Sequence, residues 1–96
     1  MNALKRNAII AATNNTIGWM NDMNAWECDK LKCLESVTFI NSTRWHIVDE
    51  FTNYYDAGGF EIYDDELKTT ELDGILANVI SKYTEQVKAR QVPYIA

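Results

Sequence analysis

His46 is the single histidine of the chain, so any zinc site or histidine-based catalysis would have to use it. Asp49 and Glu50 follow it by three and four residues, which places all three on one face of a helix. That grouping is typical of a metal or acid–base cluster. A catalytic zinc ion needs three protein ligands, however, and the missing ones would have to come from distant parts of the chain. We therefore predict a solvated group on a helix surface.

The two cysteines, Cys28 and Cys33, are the only candidate thiol nucleophiles. Their spacing differs from the Cys-x-x-Cys pattern of redox and zinc sites. On a helix they would point about 140° apart, so the two thiols could not form a disulfide. No spacing in the sequence brings a base such as His46 to either of them. We expect reduced, partly buried cysteines and a cytoplasmic protein.

Other catalytic and binding motifs are absent from the sequence. Gly58-Gly59 stands alone and does not make a phosphate-binding loop. Asp64-Asp65-Glu66 lacks the alternating ligands and central glycine of a calcium-binding EF-hand loop. We therefore predict no catalytic residues, no metal and no cofactor, and we expect that the protein is not an enzyme.

Charge is the most unevenly distributed property of the sequence. The chain has a net charge of −5, and residues 56–73, called the acidic segment below, hold seven acids and one lysine. One interpretation is a solvated loop followed by a helix N-terminus, where carboxylates are favourable. The other is an anionic surface for a basic partner, which would also repel nucleic acid. The seven acids are Asp56, Glu61, Asp64, Asp65, Glu66, Glu71 and Asp73.

The elements that must position these groups are predicted to be helices of a single domain over residues 1–96. Apolar residues at spacings of three and four predict helices over 3–23, from Asn24 to about Glu35, and from Asn41 or Ser42 to about 56. Asn14-Asn15 and Gly18 leave open whether the first is one helix or two. Residues 37–40 fit either a short strand or a helix end, and residues 60–63 an extended connector.

The clearest periodic pattern lies at the C-terminal end of the sequence. Thr69 or Thr70 is a candidate cap for a helix with acids in its first turn and basic residues in its last turns. Its apolar face comprises Leu72, Ile75, Leu76, Val79, Ile80, Tyr83 and Val87. The fold class we predict is an all-α bundle of four to five helices.

Aromatic residues supply candidate binding groups. We assign Trp19 and Trp45 to the core, the latter on a face shared with Val48, Phe51, Tyr54 and Tyr55. Three tryptophans are difficult to bury completely in 96 residues. A partly exposed Trp26, or the Tyr54-Tyr55 pair beside the acidic segment, is therefore a candidate interface anchor.

These observations favour a non-catalytic protein-binding module that uses the acidic segment, Tyr54, Tyr55 and Trp26. In size, acidity and lack of catalytic groups, the chain is similar in kind to small anti-defence proteins of phages and mobile elements that block host enzymes. That similarity implies an inhibitor that occupies the basic surface of a nucleic-acid-handling enzyme, without itself contacting nucleic acid or membrane.

Two other functions fit parts of the pattern. Asn41-Ser42-Thr43-Arg44 would open the recognition helix of a helix-turn-helix regulator, although Asp49 and Glu50 on the same helix disfavour DNA. Alternatively, the apolar face over 72–87 would join copies of the chain into a homo-oligomer.

Overall fold

The computed structural model describes residues 3–22, 31–57 and 67–90, with side chains through Tyr54 in the second range. These residues form three α-helices, α1 (Ala3–Asp22), α2 (Val37–Ala57) and α3 (Thr69–Arg90), and a short 3₁₀ helix over Lys32–Glu35. The all-helical prediction is thus confirmed for the described ranges, which contain no strand. The predicted count of four to five helices is not confirmed. The predicted connector at 60–63 lies outside the described residues.

The first predicted helix is a single continuous helix, α1. Asn14, Asn15 and Gly18 lie on its exposed side, whereas Ala12 and Thr16 are fully buried. Residues with low helix propensity cost about 1 kcal/mol or less each, and tertiary packing along the opposite face overrides that cost. The Asn-Asn pair therefore does not break the helix.

The second predicted helix falls largely on residues 23–30, which lie outside the described ranges together with Asn24, Trp26 and Cys28. Its described end is the 3₁₀ helix, where the Leu34 N–H donates to the Leu31 carbonyl at 3.2 Å. The side chains of Leu31, Cys33 and Leu34 are partly buried against the core.

The start of α2 corrects the sequence prediction. The Ser36 hydroxyl accepts a 3.2 Å hydrogen bond from the Phe39 N–H, which is the geometry of a helix N-cap. Residues 37–40 are therefore the first turn of α2, neither a strand nor the end of an earlier helix. Asn41 and Ser42 lie inside the helix and do not cap it. The tetrad 41–44 is consequently in the second turn, which removes the helix-opening position that the helix-turn-helix alternative required.

The pattern over 69–87 is confirmed as α3. Ile75, Leu76, Val79, Tyr83 and Val87 are buried, and Leu72 and Ile80 pack partly buried against the same core. The face that would have joined copies of the chain is therefore used inside the molecule. The helix begins at Thr69, after Lys68, whose carbonyl accepts a 2.9 Å hydrogen bond from the Leu72 N–H.

Side-chain contacts define how the helices run. Lys5 and Asn21, at opposite ends of α1, bond to Glu71 and Gln86 at the corresponding ends of α3, so α1 and α3 are parallel. Asn15 of α1 bonds to Glu50 of α2, and Trp19 of α1 stacks on the earlier Phe39 and His46, so α1 and α2 are antiparallel. The core between them is centred on fully buried side chains, among them Met20, Ile47, Val79, Tyr83 and Val87.

No helix in the described ranges is long and apolar enough to cross a membrane.

We expect Gly18→Ala and Gly74→Ala to stabilise the fold. Each glycine lies inside a helix, and a Cβ built on it would meet nothing within 4 Å. Alanine should therefore raise the free energy of unfolding by about 0.5–1 kcal/mol at each position, because it loses less backbone entropy on folding. Urea denaturation followed by circular dichroism measures this. A loss of stability in either variant would contradict the open surroundings of that glycine.

Two fully buried threonines should respond in opposite directions to replacement by valine. The Thr43 hydroxyl donates to the Phe39 carbonyl at 2.8 Å, whereas the Thr16 hydroxyl has no partner among the described residues. Thr16→Val should raise the free energy of unfolding by about 1 kcal/mol, because it removes an unsatisfied buried polar group. Thr43→Val should lower it by about 0.5–1 kcal/mol. The same denaturation assay compares them, and equal effects would contradict the assignment.

Candidate protein-binding surface

Most of the predicted acidic surface lies outside the described residues. Glu61, Asp64, Asp65 and Glu66 precede the third range, and Asp56 lies in the last turn of α2 without a described side chain. Of the seven acids, the structure therefore places the carboxylates of Glu71 and Asp73. Both lie near the start of α3, and they have different environments.

Glu71 is partly buried and is held by two hydrogen bonds. Its Oε1 accepts hydrogen bonds from the backbone N–H of Lys68 at 3.1 Å and from Lys5 Nζ at 3.0 Å. The Glu71 side chain is 22% exposed, and that of Lys5 is 11% exposed. The backbone hydrogen bond from Lys68 and then that from Lys5 hold the pKa of the Glu71 carboxyl below its ordinary value of 4.5. This carboxylate thus caps α3 and pairs α3 with α1.

Asp73 lies on the surface. Its Oδ1 is 3.7 Å from Nη2 of Arg44 on α2, and the two side chains are 57% and 44% exposed. An exposed pair at that distance contributes little to stability, because water and salt screen it. Asp73 therefore remains accessible to a positively charged group from outside the molecule.

The structure describes only one side chain of the three predicted aromatic anchors, that of Tyr54. Tyr54 is half-buried and packs against the core, as expected for a residue on the inner side of α2. The side chain of Tyr55 and all of Trp26 lie outside what the structure describes. Their role at an interface stays a prediction.

The position of Trp45 is the prediction that the structure corrects with the largest consequence. It is 70% exposed, whereas the sequence analysis assigned it to the core. It lines an open groove of about 260 Å³ between α2 and α3, called the Trp45 groove below. The other described residues that line it are Asn41, Arg44, Val48 and Leu72. Large exposed apolar side chains beside such concave surfaces are typical of protein interaction sites.

Helix geometry explains why Trp45 faces solvent. Ile47 is completely buried, and a residue two positions earlier points about 200° away around the helix. The buried side of α2 consists of Phe39, Thr43, Ile47 and Phe51 at spacings of four. Trp45 belongs to a second apolar stripe on the opposite side of α2. The presence of two apolar stripes on one helix was the feature of the sequence that could have indicated an exposed tryptophan.

His46 and Glu50 contact residues of α1. Its imidazole stacks on the Trp19 indole at a centroid distance of 4.5 Å and an interplanar angle of 11°. Nε2 lies 3.5 Å from Glu50 Oε1, and the other oxygen of Glu50 accepts a 3.0 Å hydrogen bond from Asn15. His46 is thus half-buried, where a solvated group was expected, and it joins α1 to α2. Asp49 is exposed.

Within the described ranges, no three side chains of the His, Cys, Asp and Glu types are placed so that they could hold a metal ion. The Cys33 side chain is half-buried. Of the described groups that could do chemistry, Glu71 and Glu50 therefore join helices, and Asp49 and Asp73 lie on the surface.

Comparison of the chain with protein-family models, with curated proteins and with solved structures found no match.

We expect Glu71→Gln to lower stability in a pH-dependent way. Because the pKa of Glu71 is lowered by folding, its ionised form stabilises the protein above about pH 4.5, and that contribution is lost as the pH falls through the folded-state pKa. At pH 7 the variant should lose about 1 kcal/mol relative to the natural chain, and the difference should shrink toward pH 3.5. Urea denaturation across this pH range measures it.

Glu85→Gln is the matched control, because it removes an exposed carboxylate from the same helix. A constant difference between the natural chain and Glu71→Gln from pH 7 to 3.5 would contradict the role of the ionised carboxylate.

Proposed function

We propose that this chain is a non-catalytic protein-binding module that occupies a basic surface of a partner protein. The observation that carries the proposal is the 70% exposure of Trp45 in a groove that ends at the acidic segment. Leu72 lines the groove, and Asp73 reaches its rim through Arg44. An apolar anchor and the exposed Asp73 carboxylate thus lie near each other. The proposal assigns the remaining charge of the acidic segment to the same interface.

The two features would contribute differently to binding. Tryptophan in a concave apolar site is among the residues that carry most of the energy of protein interfaces. Clustered carboxylates contribute less to affinity, but they attract oppositely charged partners and reject others. The module would therefore be guided by the acidic segment and held by the Trp45 groove.

The partner class that fits this charge is an enzyme that grips nucleic acid, because such an enzyme presents a basic surface to phosphates. An anionic protein bound there competes with the nucleic acid, which makes the module an inhibitor. The same logic makes direct binding of nucleic acid unfavourable for this chain, whose net charge is −5. An origin in a phage or another mobile element, as an anti-defence protein acting in the cytoplasm, is part of the proposal.

The experiment is a pull-down from bacterial lysate with the tagged chain, eluted along a salt gradient and identified by mass spectrometry. We expect a basic, nucleic-acid-handling protein that elutes at moderate salt, since screening weakens the charge contribution. Reversal of Asp64, Asp65 and Glu66 to lysine should abolish its capture. Trp45→Ala should reduce capture strongly while leaving stability within about 0.5 kcal/mol, because the side chain is mostly exposed.

Two control variants separate these effects from general ones. Reversal of Asp22, Glu35 and Glu85 to lysine changes the net charge equally at exposed positions outside the acidic segment. Ile10→Ala removes a 51% exposed apolar side chain from α1, away from the groove. Capture that persists in the acidic-segment variant, or that the charge control abolishes equally, would contradict the proposal.

A further inference from the structure

The Trp45 groove lies on the outer side of α2, along a stripe that a single helix could cover. Val37, Asn41, Trp45 and Val48 recur at spacings of four and three along the outer side of α2. Eleven residues of α-helix span about 16 Å, which is three turns. Val37 is 75% exposed, Trp45 is 70% exposed, and Leu72 of α3 forms the facing wall beside Trp45. An amphipathic helix places its anchors at the same intervals.

The charges at the rim indicate what kind of helix fits. Asp49, exposed one turn after Trp45, flanks the groove on α2, and Asp73 flanks it on α3. Among the described residues, Arg44 is the one basic residue that lines it, and it lies near Asp73. With Asp49 and Asp73 both exposed, the rim complements a helix that is apolar on one side and basic along its edges.

A second copy of the chain does not fit the same site. Two copies joined face to face through this groove would bring together the exposed carboxylates of Asp49 and Asp73 from each copy. Like charges so arranged oppose association. The occupant is therefore a segment of a different protein.

We propose that the Trp45 groove binds a basic amphipathic helix of the partner, whose central apolar side chain lies between Trp45 and Leu72. This inference rests on the proposed function, because it specifies the part of the partner that is bound. A lysine or arginine of the helix takes the place of Arg44 beside Asp73. The 3.7 Å separation and high exposure of the Arg44–Asp73 pair make that exchange inexpensive.

The test is a titration of the ¹⁵N-labelled chain with a synthetic 18-residue peptide, observed by NMR at the tryptophan indole N–H groups. The peptide carries leucines at i, i+3, i+4 and i+7 and lysines elsewhere, and a scrambled peptide of equal composition is the control. We expect the Trp45 indole signal to shift, and Trp45→Ala to weaken binding at least about 10-fold. Asp73→Asn should weaken binding, and Arg44→Gln should tighten it, because each changes the negative charge available at the rim.

The outcomes separate this inference from the proposed function. Equal binding of the scrambled peptide, or an unshifted Trp45 signal, would overturn the helix site. If the Asp64, Asp65 and Glu66 reversal abolishes binding while Trp45→Ala does not, a basic partner stands and the groove assignment is wrong. If neither peptide binds but a basic protein is still captured from lysate, the helix site alone falls. If neither peptide binds and no basic protein is captured, both proposals fall.

Discussion

The close packing of α1 against both other helices is the constraint on which the rest of the structure depends. Ala8, Ala12 and Thr16, spaced four apart, are completely buried, and α1 contacts α2 on one side and α3 on the other. Small side chains along that line let helix axes approach closely, since interaxial distance follows the size of the residues at the contact. Because α1 holds α2 and α3 from one side, their other side remains open as the Trp45 groove.

The parallel arrangement of α1 and α3 creates an electrostatic problem that Glu71 offsets. The N-terminal ends of both helices carry partial positive charge, and Lys5 adds a full one in the first turn of α1. The Glu71 carboxylate lies among these charges, bonded to Lys5 and to the backbone N–H of Lys68. One of the seven acids of the acidic segment is thus part of the fold, and Asp73, two residues later, is available at the surface.

The sequence was sufficient to predict the helices whose buried side is uniformly apolar. In α3 every predicted core residue from Ile75 to Val87 is buried or partly buried. In α1 the inner face includes Lys5, Thr13 and Thr16, so its pattern was weaker and its continuity could not be decided. Propensity disfavoured Asn14-Asn15 locally, whereas continuity depends on contacts with α2 and α3 that a local pattern does not contain.

The apolar residues of α2 were assigned to the wrong side for a different physical reason. Trp45 and Val48 align with each other as well as Phe39, Ile47 and Phe51 do, and a tryptophan offers the larger apolar area for burial. Only the packing of α1 on α2, which leaves Ile47 buried in the shared core, decides between the two stripes. The Trp45 groove is the described part of the candidate site. It could not be predicted from the sequence, because large apolar residues such as tryptophan are usually expected to be buried.

The pairing of the ends of α1 with α3 has a consequence for how the chain is made. Lys5 and Glu71 are 66 residues apart, and Asn21 and Gln86 are 65 apart. During synthesis at roughly 5–20 residues per second, α1 and α2 are complete about 2–6 s before the last buried turn of α3 emerges. Throughout that interval Ala8, Ala12 and Thr16 of α1 are covered by α2 but not by α3. The order of synthesis therefore leaves α1 and α2 as a two-helix hairpin until α3 is complete. The contacts that form most slowly are those between α1 and α3, because they close loops of more than 60 residues.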